Sequence, residues 1–315
     1  MNGPKSLVPP ATRVDIGVCT FRRPELERTL RSLADLEVPE AVAVRIIVAD
    51  NDAMPSARPL VDSLRSSLPF EVLYVHCPAA NISIARNACL DNSDGDFLAF
   101  IDDDEEASAE WLLLLLMMAE ATAADAVLGP VKARYDAAAP DWMRRGDFHS
   151  TNPVWVGDEI RTGYTCNVLL RTGSAALAGR RFSLSLGTTG GEDTEYFTHM
   201  HRAGGRLAFA ANAFVEEPVP GKRAQLSWLA RRRFRMGQTH GRLLAQTEAP
   251  KRRPVLIALA TAKAGYCMLA SLAFAPFAIP RNRYALRALM HAGAISGLVG
   301  VREIQQYGQL GASPR

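Results

Sequence analysis

The 315-residue chain holds only five cysteines, Cys19, Cys77, Cys89, Cys166 and Cys267, an odd number with no CxxC pair. That disfavours a disulfide framework or a zinc site, and a reducing cytosol is the simpler reading. No strong excess of one charge sign is present: the net charge is +3. A nucleic-acid binder usually shows a stronger or more clustered basic face, so composition does not point that way. No GxGxxG follows the first strand-like run and no GxxxxGK[ST] occurs anywhere, which disfavours dinucleotide-binding and P-loop folds. No internal repeat is visible. The opening "MNGPKSLVPPATR" lacks the apolar core of a secretory signal, and residues 1–12 read as a disordered lead.

What is present is a chain able to build a full core, with 48% hydrophobic and 22% charged residues. Short apolar runs at 14–21, 44–50, 70–77 and 96–101 alternate with amphipathic segments, such as the one carrying Leu26, Leu30, Leu33 and Leu36 at helical spacing. This alternation predicts an α/β fold around a single Rossmann-like, mostly parallel sheet. Further strands are expected in "AVLGPVKAR", in "TCNVLLRTG" and, as a pair or a strand plus turn, in "RLAFAANAFVEEPV". "GEDTEYFTHMHRAGG" reads as a helix closed by Gly204 and Gly205.

After about residue 250 the character changes. Pro254 to Ile279 carries a single charge, Lys263, and is long enough to cross a bilayer. Lys251, Arg252 and Arg253 flank it on one side and Arg281, Arg283 and Arg287 on the other. A single crossing would place one basic cluster on the wrong side, whereas a re-entrant hairpin or an interfacial helix keeps both cytoplasmic. A helical pair packed on the catalytic part is the non-membrane alternative. The expected organisation is a lead over 1–12, a catalytic domain over 13–250 (halves 13–104 and 105–250) and an apolar helical appendage over 251–315.

Asp102, Asp103 and Asp104 stand at the carboxyl end of a strand, where open α/β sheets bind ligands. Adjacent carboxylates repel unless a cation or donors offset them, and Mg²⁺ or Mn²⁺ favours oxygen ligands shared with substrate phosphates. Helix capping is the plainer explanation for Glu105 and Glu106, which read as first-turn acids of the helix that "WLLLLLMM" buries. The turns "CTFRR", "ADND" and "NISIARNA" come to the same sheet edge. There Asp50 could accept from a base imide, although taken alone it reads better as a turn residue before Asn51, and Arg86 could hold a base carbonyl or a phosphate or lie on a helix surface. In "GTTGGEDTEYF" two glycines permit close approach, and Glu192 and Asp193 open a helix, either as an acidic first turn or as a general base. His199 and His201 read as surface or packing residues.

"VDIGVCTFRRPELERTLRSL", "IIVADND", "NISIARNACL", "FLAFIDDDEEASAEWL" and "GGEDTEYFTHMHRAGGRLAF" resemble, in order and spacing, the inverting family-2 glycosyltransferases of GT-A fold, over residues 13–240. The resemblance extends to bacterial members that build surface polysaccharide. It implies that Thr20, Phe21 and Arg22 line a nucleoside, that Asp50 contacts the base, and that Arg86 contacts the base or diphosphate. It implies a D-x-D in which Asp104 binds Mn²⁺ or Mg²⁺, Asp102 binds metal or ribose, and Asp103 is the variable, donor-side middle residue. Asp193 would be the catalytic base and Glu192 its support. The implied partners are a nucleotide-sugar donor, commonly UDP-linked, a glycan or lipid-linked acceptor and the cytoplasmic face of the inner membrane, with no nucleic acid. Where many members place a His that binds the metal or the diphosphate, "FVEEPVPGKR" has none. Arg231, Arg232, Arg233 and Arg235 could meet a diphosphate, lipid headgroups or solvent. The poor match to the processive synthases' Q-x-x-R-W favours single-sugar transfer. A catalytically silent glycan-binding scaffold is the competing expectation, and a nucleotidyltransferase is disfavoured because no Gly-rich loop with a Lys follows the first strand.

Overall fold

The computed structural model describes residues 12–301; the expected lead and the last part of the appendage, 302–315, lie outside the described residues. The chain divides into two compact units. The first comprises residues up to Val131, Asn152–Leu184 and Glu192–Glu216. The second comprises Lys132–Thr151, Ser185–Gly191 and residues from Glu217 onward.

The first unit is built on a seven-stranded sheet of order β11-β6-β10-β4-β1-β2-β3. In chain order it contains β1 (Thr12–Thr20), α1 (Leu26–Ala34), β2 (Val42–Asp50), α2 (Arg58–Leu64), β3 (Glu71–His76), α3 (Ile82–Asn92), β4 (Phe97–Asp102), the two-residue β5 (Glu106–Ala107), α4 (Trp111–Thr122) and β6 (Ala126–Leu128). The chain then runs into β7 (Val131–Tyr135) and α5 (Asp141–Gly146) of the second unit, and returns through the small hairpin β8 (Trp155–Val156) and β9 (Glu159–Ile160). The unit is completed by β10 (Asn167–Arg171), α6 (Glu192–Arg202), β11 (Leu207–Phe209) and the start of β12 (Val215–Val219). Strands β1, β2, β3 and β4 pair in parallel, as do β6 and β11. Within the seven-stranded sheet, among the described residues, only β10 runs antiparallel to its neighbours, so the expectation of a mostly parallel α/β sheet holds.

Each central strand is buried on both faces, which is why its sequence reads as an apolar run rather than an alternation. Val14, Ile16 and Val18 face Leu26, Leu30 and Leu33 of α1 and Trp111, Leu112 and Leu115 of α4. Ile47, Ala49 and Leu98 face Ala85 and Cys89 of α3 and Tyr196, Phe197 and Met200 of α6. The Trp111 indole donates to Asn167 Oδ1 at 2.8 Å, so this large buried ring leaves no polar atom stranded.

Three local expectations change. "AVLGPVKAR" is two strands rather than one, broken at Gly129–Pro130, where a Cβ on Gly129 would lie 2.1 Å from the Ala213 carbonyl. β11 and β12 do not pair with each other: β11 joins the large sheet beside β6, and β12 pairs with β5. Glu105 and Glu106 are not first-turn acids, because α4 starts only at Trp111. Glu105 is buried and folds back to accept from the Asp102 amide at 3.0 Å, while Glu106 lies in β5 with Arg28 at 3.8 Å.

The second unit holds β7, α5, the rest of β12 and three long helices. These are α7 (Leu226–Thr247), α8 (Arg253–Ala273, entered through a 3-10 turn at Pro250–Arg252) and α9 (Ala278–Leu298). Helix α9 packs on both α7 and α8. Gly237 and Gly241 of α7 interlock with Gly293 and Gly297 of α9, where added Cβ atoms would lie 2.0 to 2.2 Å from facing carbonyl oxygens. Small residues four apart let the two backbones approach this closely.

Candidate functional site

The parallel register brings the chemistry to one edge of the first unit. Thr20 ends β1 opposite Asp50 at the end of β2, and Cys19 lies opposite Asp102 at the end of β4. Carboxyl ends of neighbouring parallel strands are where an open sheet leaves a crevice.

Arg86 is the hub of this edge. Asn81 caps α3, accepting from the Ser83 amide at 3.0 Å, and so fixes the helix that carries Arg86. The Arg86 side chain is buried against the Phe182 ring. Its Nη1 is hydrogen-bonded to Glu192 Oε1, and its Nη2 is 4.0 Å from Asp102 Oδ1. Burial alone would lower the guanidinium pKa, but the carboxylates of Glu192, Asp102 and Asp193 outweigh it and hold the group well above the ordinary arginine value. Burial, with Asp193 adding to it, pushes the Glu192 carboxyl above its ordinary value, and the contact with Arg86 pulls against that shift. Asp193 is half-buried, and its Oδ1 accepts from the Thr194 amide at 2.6 Å and hydroxyl at 3.2 Å. Of the two acids that open α6, one is tied down inside and the other remains reachable.

The acidic run divides by environment. Asp102 keeps 43% of its side chain exposed and Asp104 15%. Asp103 is buried, and burial together with the neighbouring Asp104 pushes its carboxyl up to about 7. Arg23, which the sequence reasoning passed over, lies 3.5 Å from Asp104 and 3.9 Å from Asp103. Among the described residues no three His, Cys, Asp or Glu side chains gather as a ready metal cage. Two accessible carboxylates on one turn still suit a hard cation of the Mg²⁺ or Mn²⁺ type, which takes one or two protein carboxylates and completes its shell with water and substrate phosphate.

The nucleoside-side residues are arranged less simply than the sequence suggests. Asp50 is fully buried. Its carboxylate accepts from the amides of Asp52 (3.1 Å) and Ala57 (2.8 Å) and from the Tyr74 hydroxyl (2.6 Å). It therefore holds the 51–57 loop in shape. Burial, reinforced by this bond, pushes the Tyr74 hydroxyl up. Asp52, two residues on, pairs with Arg22 at 2.8 Å, and the Arg22 guanidinium lies over the Phe21 ring. Arg22 adopts φ +52°, in the left-handed region. Thr20, Phe21, Arg22, Asp50 and Asp52 thus form one cluster, and Arg86, Asp102, Glu192 and Asp193 another. Asp52 escaped notice because spacing in "ADND" cannot say which acid turns inward.

In the second unit, Gly190 and Gly191 have φ +86° and +88°. Arg235 donates to the Thr189 carbonyl at 2.9 Å, and a Cβ on Gly190 would strike its guanidinium. Arg232 lies over the Trp228 ring, 5.2 Å from its centroid. His199 of α6 is exposed, in line with a surface role.

The family model described as "Glycosyl transferase family 2" matches residues 15–181. A curated relative, "Succinoglycan biosynthesis protein ExoM" of Rhizobium meliloti (strain 1021), is 64% identical over 295 residues, covering 94% of this chain and 96% of that protein. Among solved structures, S. aureus TarS 1-349 in complex with UDP-GlcNAc superposes with a TM-score of 0.52 at 15% identity, covering 89% of this chain and 92% of that one. A longer TarS structure gives 0.50 at 17% identity, with 92% of this chain covered but only 54% of that one. At such identities these structures establish the fold alone. By the family match and the 64% identical relative, this chain belongs to glycosyltransferase family 2.

Proposed function

We propose that the chain transfers a single sugar from a UDP-sugar to a hydroxyl of a glycan or lipid-linked glycan, with inversion, during assembly of a surface polysaccharide of the succinoglycan kind. The observation that carries this reading is the Arg86 hub: one buried guanidinium ties the strand-end Asp102 to Glu192, and so fixes the neighbouring, reachable Asp193. The name of the 64% identical relative supports the polysaccharide, and the UDP-GlcNAc complex of TarS supports the donor class.

In this reading Thr20, Phe21, Arg22 and the loop shaped by Asp50 receive the nucleoside. Arg86 stabilises the diphosphate side, with Asp103 behind it. Asp104 and Asp102 would hold Mn²⁺ or Mg²⁺, which when bound neutralises charge on the leaving diphosphate. Asp193 takes the proton of the acceptor hydroxyl as that oxygen bonds to the anomeric carbon. The bond from that carbon to the diphosphate oxygen breaks on the opposite face, and the nucleoside diphosphate leaves with the electron pair. Glu192 keeps Asp193 in place through its bond to Arg86. Residues 13–250 carry this chemistry. The apolar helices that follow residue 250 would place the enzyme on the cytoplasmic face of the inner membrane, where lipid-linked acceptors reside.

The deciding experiment offers the purified chain a panel of sugar nucleotides, with and without Mn²⁺, and reads nucleotide release and the anomeric configuration of the product. One UDP-sugar should be consumed. Asp193→Asn should lower kcat by about 10²–10⁴-fold, the usual contribution of a positioned general base, with little change in donor KM. Unchanged turnover in that variant removes Asp193 from the role. Binding of the donor without any transfer would favour the silent scaffold.

A further inference from the structure

Helix α8 presents an unusual surface for a helix outside a core. Val255, Leu259, Tyr266 and Leu269 recur at intervals of three, four and seven residues, so they share one face, and each is more than half exposed. The opposite face, through Ala260 and Cys267, is buried, and α8 packs on α9. Only 6% of its most apolar stretch is buried. Phe277, just past its end, is 63% exposed, and Phe274 stacks on Tyr284 at 5.7 Å. An aromatic cluster at the end of an apolar stripe suits the headgroup level of a bilayer.

Charge identifies the occupant. Between Glu248 and Glu303 the sequence contains no carboxylate. In the same interval stand Lys251, Arg252 and Arg253 at one end of α8, Lys263 within it, and Arg281, Arg283 and Arg287 beyond it. Such a segment is complementary to acidic phospholipid.

Packing decides the orientation. A spanning α8 would carry α9 into the hydrocarbon beside it, because the two helices form an antiparallel pair through a short turn. Helix α9 carries Arg281, Arg283 and Arg287, and its other side is locked by the glycine interface to α7, which bears Arg231, Arg232, Arg233 and Arg235. Arginines in hydrocarbon are costly, and the partners that Arg281, Arg283 and Arg235 meet here are the neutral acceptors Ala275 O, Asn282 Oδ1, Gly146 O and Thr189 O, not carboxylates that would offset their charge. We propose that α8 docks in the plane of an anionic phospholipid bilayer, with its exposed stripe at the acyl–headgroup boundary and both its ends on the same side. Lys263 lies to the side of the stripe and reaches the headgroups along its aliphatic stem. This orientation rests on the membrane location proposed above and specifies how it is achieved.

The test uses the full chain with sucrose-loaded vesicles of phosphatidylcholine alone and of phosphatidylcholine with phosphatidylglycerol. The chain should sediment with the anionic vesicles, and high salt should weaken the binding. A Leu259→Glu/Leu269→Glu variant with an unchanged thermal midpoint should bind at least tenfold more weakly. Single cysteines introduced as Lys251→Cys and Arg281→Cys should both react with a membrane-impermeant maleimide added outside the vesicles. Protection of one of the two sites overturns the in-plane orientation while leaving the membrane location standing. Failure to sediment with either vesicle overturns both. Self-association that the Leu259→Glu/Leu269→Glu variant abolishes, without vesicle binding, assigns the stripe to a second copy and likewise overturns the proposal. Donor turnover, read in parallel, keeps these outcomes separate from the transferase activity.

Discussion

Arg86 shows how one side chain can organise a site through burial. Its guanidinium has given up water for Glu192 and Asp102, so removing either side of the pair leaves an uncompensated charge in the interior. Arg86→Met should destabilise the first unit by about 3–5 kcal/mol, the usual cost of breaking a buried pair, whereas Arg86→Met with Glu192→Leu should recover much of that stability without recovering activity. Urea unfolding monitored alongside turnover distinguishes the two effects. His149 makes a second residue-scale case. Its Nδ1 meets the Tyr135 hydroxyl at 3.0 Å, and its ring stacks on Trp228. Burial, with help from nearby arginines, pushes its pKa down from 6.5 to about 4. The unfolded chain therefore takes up a proton first as the medium is acidified. Stability should be unaffected above about pH 6.5 and fall progressively toward pH 4. Thermal midpoints across that range should show the slope, and His149→Gln should flatten it.

At the scale of elements, the apolar runs of β1, β2 and β4 and the leucine spacing of α1 were legible in the sequence, because burial on both faces of a parallel sheet imposes them. The order of the strands was not. Nothing in "TCNVLLRTG" announces that β10 inserts antiparallel between β4 and β6, since its side chains meet the same apolar layers in either direction. The glycines of α7 and α9 also read as ordinary helix weakeners until the packing is seen. Gly241→Leu should clash with the Ala294 carbonyl, 2.1 Å from any added Cβ. Overpacking of this kind costs about 1–3 kcal/mol or more and should lower the thermal midpoint. Gly265 of α8 has nothing within 4 Å of an added Cβ. Gly265→Ala should instead stabilise by roughly 0.5–1 kcal/mol, the helix-interior difference between the two residues.

At the scale of the whole molecule, the family and its activity follow from the chain's similarity to known glycosyltransferases. Metal use is testable there. With Asp102 and the less exposed Asp104 as its protein carboxylates, the cation would be held jointly with the donor diphosphate. Chelation should therefore abolish turnover and leave the thermal midpoint of the free protein within about a degree, because a ligand absent from the folded free state adds nothing to its stability. Readdition of Mn²⁺ or Mg²⁺ should restore activity, and Asp104→Asn should raise the metal concentration needed.

The sequence by itself determined the fold class, the sheet edge at which the chemistry gathers, and the residue types gathered there. Hydrophobic periodicity and the order of motifs are one-dimensional signals of burial. Only the tertiary structure decided which member of each acidic cluster faces inward. It turned Asp50 into the buried organiser of a loop, with Asp52 paired to Arg22. It folded Glu105 back beneath Asp102, and it joined Glu192 to Arg86 across 106 residues of chain. Neighbouring carboxylates look alike in a sequence, and the partner that each one meets depends on contacts that only the folded chain creates.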